Sequence, residues 1–600
     1  MSLRALVLAL ALTASQACAT APSSPPPTWL LEQVKTLSAP DTEGRASGTQ
    51  GADRAASHIV SVFRQAGLRP GGEGGGYLQP FEVTTGIRLG PANALRILTP
   101  APLGLTLGQD YMPLAVSADG AAESDLVFAG YGITAPELGH DDYAGLDVRD
   151  RIVLVLSREP RGRDPSSPFR RPEAYHYSER SHKVINARQH GARGILLVEH
   201  PEAGAERLPR LAGISQPWGV LAAFVTRAVA DSLLAPSGKP LGELAAAIDQ
   251  AMAPRSFPVA GTRVRLEVSL ARERGTAANV VGILPGTDPA LADQAVLIGA
   301  HYDHLGRGGE GSLAPDLLGT IHPGADDNAS GTAAMLGLAR LFAAAGGAPR
   351  TLVFVAFAGE EMGLLGSAHQ VEHPALPLDR IALMLNLDMV GRLRDGKLYT
   401  SGVDSGTGLR ARVAEAARGL PLHLQLQGDP HAPSDHTSFY TRGRPVLFLT
   451  TGAHEEYHRP SDTWEKISAQ GLETVTAFAA RLVGAVATAP TAPTYVKIEA
   501  PPARGPRAAG YGPYLGVIPE FGESPRPGVK VSSVRAGSPA DKAGVRAGDL
   551  IVRFGPVTVK TLNDLTFALR GQRPGDRVEL WLLRDGAEER VEAVLQERRP

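Results

Sequence analysis

From about residue 295 to residue 458, short apolar runs alternate with helix patterns, and histidines or acids follow the runs. The strand-like runs are Ala295 to Ala300, Leu352 to Ala358, Ile381 to Leu387 and Val446 to Thr450. Helix patterns fall between them at Ser330 to Ala345 and near Leu409 to Arg418. This alternation predicts an α/β fold, a mostly parallel sheet with helices on both faces. In such sheets ligands bind just beyond the carboxyl ends of the strands, so groups far apart in sequence converge there.

Five candidate metal ligands occupy such positions: His301, Asp326, Glu361, Asp388 and His458. One neutral imidazole and two carboxylates per ion suit Zn²⁺, and a shared carboxylate holds two ions roughly 3.5–4 Å apart. Glu360, next to Glu361, is left over as the acid that a water-activating general base requires. Asp303 lies two residues after His301 and is placed to orient its imidazole. Gly324 and Gly331 flank Asp326 and allow close backbone approach. Each residue alone has an ordinary use: a hydrogen-bonded histidine, an N-cap for Asp326-Asp327, a solvated edge for the two glutamates. Their order, each at a strand end or turn, favours a two-metal hydrolase site. By local texture His304, His322, His431 and His436 fall behind the ligands or on the surface.

Six hundred residues exceed one ordinary core and suggest three to four domains. With 60 Lys+Arg against 62 Asp+Glu, no strong field favours nucleic acid or an anionic membrane. The first 18 residues read as an export signal: Arg4, an apolar run from Ala5 to Ala14, then small residues. Cys18, the single cysteine, falls where a lipoprotein signal is cut and acylated, although Ser15 departs from that pattern. A periplasmic, outer-membrane lipoprotein or secreted location is expected, with a membrane met only through a lipid on Cys18.

A proline-rich linker at 19–27 leads into the N-terminal part of the α/β domain at 28–119. A β-rich insert is expected at 120–260, the rest of the α/β domain at 261–489, and a second proline/alanine-rich linker at 490–509. A small β-rich domain closes the chain at 510–600.

Gly299-Ala-His-Tyr-Asp-His-Leu-Gly306, Gly324-Ala-Asp-Asp-Asn-Ala-Ser-Gly331, Gly359-Glu-Glu-Met-Gly-Leu-Leu-Gly-Ser367, Asn386-Leu-Asp388 and Tyr457-His458 resemble the signatures of the zinc-dependent M28 aminopeptidases. Gly44-Arg45 and Gly67-Leu68 resemble that family's N-terminal lead-in. The resemblance implies two zinc ions per subunit, one held by His301 and Asp388 and the other by Glu361 and His458. It implies Asp326 as the bridge, Glu360 as the base, a cis bond from Asp326 to Asp327, and a pocket-shaping role for Ser434 to Phe439.

The insert resembles a protease-associated (PA) domain. The tail resembles a PDZ domain, in which Tyr514, Leu515, Gly516 and Val517 match the loop that binds a peptide carboxylate. Peptide substrates, and peptide C-termini at the PDZ domain, are the partners this implies. The motifs leave open a carboxypeptidase of the same family, a glutaminyl cyclase, or an inactive peptide-binding scaffold.

Overall fold

The structure is a computed structural model that describes residues 24–498 and 513–596, apart from 210, 212–216, 310, 315, 316, 318, 520–525 and 536. The expected signal at 1–18, with Cys18, lies outside the described residues. Among the described residues no helix is long and apolar enough to cross a membrane.

The first sheet has four parallel strands at its centre, in the order Thr351–Phe357, Ala295–His301, Ile381–Leu387 and Val446–Thr450. All but Thr450 of these strand residues are buried, as a sheet covered on both faces requires. Side chains alternate across it. Val296, Ile298 and Ala300 join one core with helices Pro27–Leu37, Gln50–Gln65, Gly331–Ala344 and Ala469–Thr488. Ala295 and Leu297 join the other with Val371 of helix Leu365–Glu372 and Phe439 of helix His436–Tyr440. Each fully buried branched side chain contributes about 1.5–3 kcal/mol. The α/β architecture with helices on both faces is therefore present. The sheet is mixed at its flanks, where Leu270–Leu284 and Lys397–Ser401 pair antiparallel to the central strands.

Strand Leu78–Leu89 runs antiparallel along Leu270–Leu284, and together they carry the chain to and from a second, eight-stranded sheet. That sheet begins earlier than residue 120 and ends later than 260. Ala94–Thr99 pairs with Phe257–Val268, which in turn pairs with Gly120–Phe128. The early strand is only half-buried and alternating, so no shift in composition marks it. Residue 120 marks instead the approach to the buried parallel strands Ile152–Leu156, Gly194–Val198 and Leu221–Val225.

The C-terminal unit is a six-stranded sheet with its own core and the helix Leu562–Arg570. Thr561 and Asp564 close that helix with a reciprocal capping box. Residues 564, 567 and 570 share one helix face, and this face rests on the insert. Asp564 pairs with Arg188, Arg570 lies 2.9 Å from Glu179, and the Phe567 ring is 5.1 Å from that of His182.

Candidate metal centre

The central strands deliver their last residues to one end of the sheet. His301 ends its strand, Asp388 follows Leu387, and Glu360 and Glu361 stand three and four residues beyond Phe357. His458 arrives from the loop after Thr450, with a left-handed backbone at φ 55°.

Two groups of ligand atoms result, His301, Asp327 and Asp388, and His304, Asp327 and Glu361, each with its atoms within 4.8 Å of one another. Asp327 belongs to both. Its Oδ1 is 3.4 Å from His301 Nε2, and its Oδ2 is 3.3 Å from His458 Nε2. Asp388 Oδ1 is 3.4 Å from His301 Nε2, and Glu361 Oε2 is 3.2 Å from His458 Nε2. Imidazole nitrogens and carboxylate oxygens gathered this way fit zinc.

The structure therefore puts Asp327, not Asp326, between the two groups. Asp326 turns its carboxylate the other way: Oδ1 accepts from the Gly391 N–H at 2.7 Å and from Ser330 Oγ at 2.9 Å, and Oδ2 faces His454 Nε2 at 3.2 Å. Both backbone N–H groups of this pair donate to one oxygen of Asp462, at 2.9 and 3.1 Å, which pins the turn. The cis bond is displaced by the same single residue, joining Asp327 to Asn328. Gly324 and Gly331 do allow close approach. An added Cβ would fall 2.2 Å from the Asp327 carbonyl oxygen and 2.3 Å from that of Leu387.

Asp303 stands behind His301, its carboxylate Oδ1 3.7 Å from His301 Nδ1. His301 Nδ1 meets its main-chain oxygen at 3.2 Å, while its carboxylate Oδ1 accepts from the Glu360 N–H at 3.2 Å. Asp303 thus faces His301 with both its backbone oxygen and its carboxylate, and holds the Glu360 backbone with the same carboxylate oxygen. Ser434 donates to Asp388 Oδ2 at 2.8 Å and accepts from Asn386 Nδ2 at 2.7 Å, so the Ser434–Phe439 segment holds a ligand in place. Among the competing histidines His304 does reach the site, with Nδ1 2.7 Å from Glu361 Oε1. His322 meets Ser312 and Thr320, His431 pairs with Asp429, and His436 stacks on Phe448.

The adjacent glutamates are driven apart electrostatically. Burial, with Glu361, Asp388 and Asp435 nearby, pushes Glu360 well above the usual carboxyl range against the pull of His301. Burial and Asp327 act upward on Glu361 as well, yet His304 and His458 hold it down at about 2. Glu360 keeps 13% of its side chain exposed and lies 4.0 Å from His301 Nε2.

Arg45 braces the site from behind. It is wholly buried and donates to the carbonyls of Tyr302, Leu37, Pro323 and Gly324 at 2.6–2.8 Å, tying the His301 strand to the turn before Asp327. Burial draws its pKa down to about 10, with Asp303, Asp327, Asp462 and Glu361 pulling the other way, so it stays charged at neutral pH.

Residues 279–483 match the family model of Peptidase family M28, 113–233 the PA domain and 513–595 the PDZ domain. The core is a peptidase family M28 domain. Over 210 residues the chain is 31% identical to the aminopeptidase YwaD of Bacillus subtilis, covering 33% of this chain and 42% of the relative. Over 438 residues it is 24% identical to an aminopeptidase of Pseudomonas aeruginosa, covering 70% and 69%. A solved structure described as BSAP, a zinc aminopeptidase from Bacillus subtilis, is 21% identical with TM-score 0.48, covering 77% of this chain and 95% of that one. The chain spans 32–42% of the length of four of the curated relatives it matches, YwaD among them.

Proposed function

We propose that the chain is a zinc aminopeptidase that holds two zinc ions per subunit and uses Glu360 as its general base. The observation that carries the reading is Asp327, whose two oxygens face two separate imidazole and carboxylate groups. His301 and Asp388 would hold one ion, His458 and Glu361 the other, with Asp327 shared. Zinc, when bound, polarises a carbonyl and makes water acidic near neutral pH. The protein's own part is positional and protolytic. Glu360 takes the proton of the attacking water and returns it to the departing amine. The Asp303 carboxylate fixes the Glu360 backbone for this, and Ser434 keeps Asp388 from turning away. Relatives named as aminopeptidases support the choice of substrate end.

The test is a turnover panel on zinc-loaded protein, comparing free aminoacyl, N-acetylated and C-terminally amidated peptides, with zinc measured in the same sample. Two zinc ions per chain and cleavage only of substrates with a free amine are expected. Equal cleavage of N-acetylated peptides, or dependence on a free carboxylate, would overturn the reading.

We further propose that the chain is exported through its first 18 residues, and that the loop Tyr514 to Val517 takes peptide C-termini. Mass analysis of the mature N-terminus tests export and decides between plain cleavage and acylation of Cys18.

A further inference from the structure

We propose that the last side chain of a peptide held by the PDZ loop seats in a cleft shared between the PDZ unit and the peptidase domain, so that the peptidase itself reads the C-terminal residue. This rests on the peptide-binding reading of the PDZ loop and adds a second wall to it.

The loop is built to meet an anion. The carbonyl of Leu515 accepts from the Ala540 N–H and that of Gly516 from the Arg535 N–H, both at 2.9 Å. With both carbonyls tied down, the N–H groups of Leu515 and Gly516 have no acceptor among the described residues. Paired backbone N–H groups of this kind suit a carboxylate. Gly516 has φ +89°, and an added Cβ would fall 2.2 Å from Ser538 Cβ, so the loop depends on glycine there.

The next strand, Val517–Pro519, lies at the end of its sheet and, among the described residues, pairs only with Val529–Val534. An extended peptide can add along its open side, but Pro519 has no N–H, so the ladder stops early. Recognition then falls on the carboxylate and the terminal side chain.

Beside Ile518 and Pro519 lies a cavity of ≈ 40 Å³ whose opposite wall is the peptidase domain. Leu364, Ala368 and Val371, spaced i, i+4, i+7, form its apolar face, and Arg442 stands at the cavity, 3.6 Å from Glu372. A cavity of this size has room for about three waters, which matches a small branched apolar side chain. Glu372 also lines the cavity and balances Arg442 there, so it is the uncommitted N–H groups on the preceding loop that complement a free C-terminal carboxylate.

The peptidase wall comes from the two segments that follow the candidate site, one after Glu360 and Glu361 and one after Ser434. The two are joined by a Ser367–Ser438 hydroxyl contact at 3.0 Å. Outside the cleft, the PDZ helix also rests on the insert through Asp564, Phe567 and Arg570.

The experiment is calorimetry on the full chain with N-acetylated tetrapeptides, which an aminopeptidase leaves intact, ending in valine as free acid or amide, or in tryptophan as free acid. The valine acid should bind at least tenfold more tightly than the amide and than the tryptophan acid. Ala368→Trp, which fills the cleft from the peptidase side, should weaken it at least tenfold, and Ile518→Asp should do the same from the PDZ side. Melting temperature and small-substrate turnover are followed in both variants as checks on folding. Binding is read as heat, so it stands or falls separately from the aminopeptidase reading. Equal binding of acid and amide, no binding of any peptide, or binding untouched by Ala368→Trp in folded protein would overturn the proposal.

Discussion

Asp326 and Asp327 are neighbours of one type, and the structure gives them opposite tasks. Replacing each by asparagine keeps its size and removes its charge. In Asp327→Asn, the group lost faces His301 through one oxygen and His458 through the other, at 3.4 and 3.3 Å. Loss of an outer partner of a metal ligand typically costs 10–100-fold in affinity. Loss of a directly shared carboxylate should exceed about 100-fold at both positions, since each keeps a single acid, Asp388 or Glu361. In Asp326→Asn the amide oxygen can still accept from Gly391 and Ser330. Only the charge opposite His454 goes, which should cost about 1.5–3 kcal/mol of folding stability. Zinc affinity should then fall by no more than about 100-fold, at a single position or neither. Competition against a fluorescent chelator, with bound zinc counted by elemental analysis and stability by urea titration, reads all three quantities. If Asp326→Asn releases both ions and Asp327→Asn keeps them, the assignment is refuted and Asp326 is the shared acid.

Glu360→Gln should lower turnover by about 10²–10⁴ with both ions retained, whereas Glu361→Gln should weaken one ion and respond to added zinc; parallel rate and zinc titrations separate them. Arg45→Met removes a donor from four carbonyls, of which Leu37 keeps Thr42 Oγ1 and Gly324 keeps the Ala329 N–H, and should destabilise the peptidase domain by about 2 kcal/mol or more at about 1–3 kcal/mol for each of the two orphaned groups, read as a drop in urea midpoint with zinc loss alongside. Lys183, wholly buried in the insert, is drawn by burial to about 7 from 10.5. The folded state therefore binds fewer protons than the unfolded state between about pH 7 and 10.5, and this group makes stability rise with pH across that window. Unfolding at pH 7, 8 and 9 should show a wild-type minus Lys183→Met difference that climbs with pH; a flat difference counts against it.

The elements of the α/β core were legible because their signals are local and strong. Ile381–Leu387 and Val446–Thr450 are continuous apolar runs bounded by turns, and both strands match the runs read from sequence. The groups at strand ends were legible for the same reason: His301, Glu361 and Asp388 follow from where a buried strand stops. The doublet Asp326-Asp327 was not decidable that way. Two identical acids in one turn differ only in which side of the backbone they leave, and that is set by Asp462, Ser330 and Gly391. His304 was missed because its role depends on a Glu361 oxygen 57 residues away. The first strands of the insert were missed because half-exposed alternation resembles a loop until its partner near residue 260 is known.

The N-terminal lead-in is as much a part of the site as the strand ends. Gly44, Arg45 and Ser47 lie more than 250 residues before the ligands they support. The Gly44 carbonyl accepts from the Gly306 N–H at 2.9 Å, Ser47 Oγ accepts from the Gly359 N–H at 2.8 Å, and Arg45 clamps the carbonyl of Tyr302, just after His301, to that of Gly324, three residues before Asp327. These bonds hold the His301 loop, the Glu360 loop and the Asp327 turn against one another, a geometry that the sheet alone does not impose. The segment 279–483 therefore contains every candidate ligand but not the brace that aligns them. The insert, which separates brace from ligands in sequence, leaves and returns through the paired strands Leu78–Leu89 and Leu270–Leu284. That pairing keeps the two halves of the peptidase domain in register, and it is why so large an insertion does not disturb the metal-binding end of the sheet.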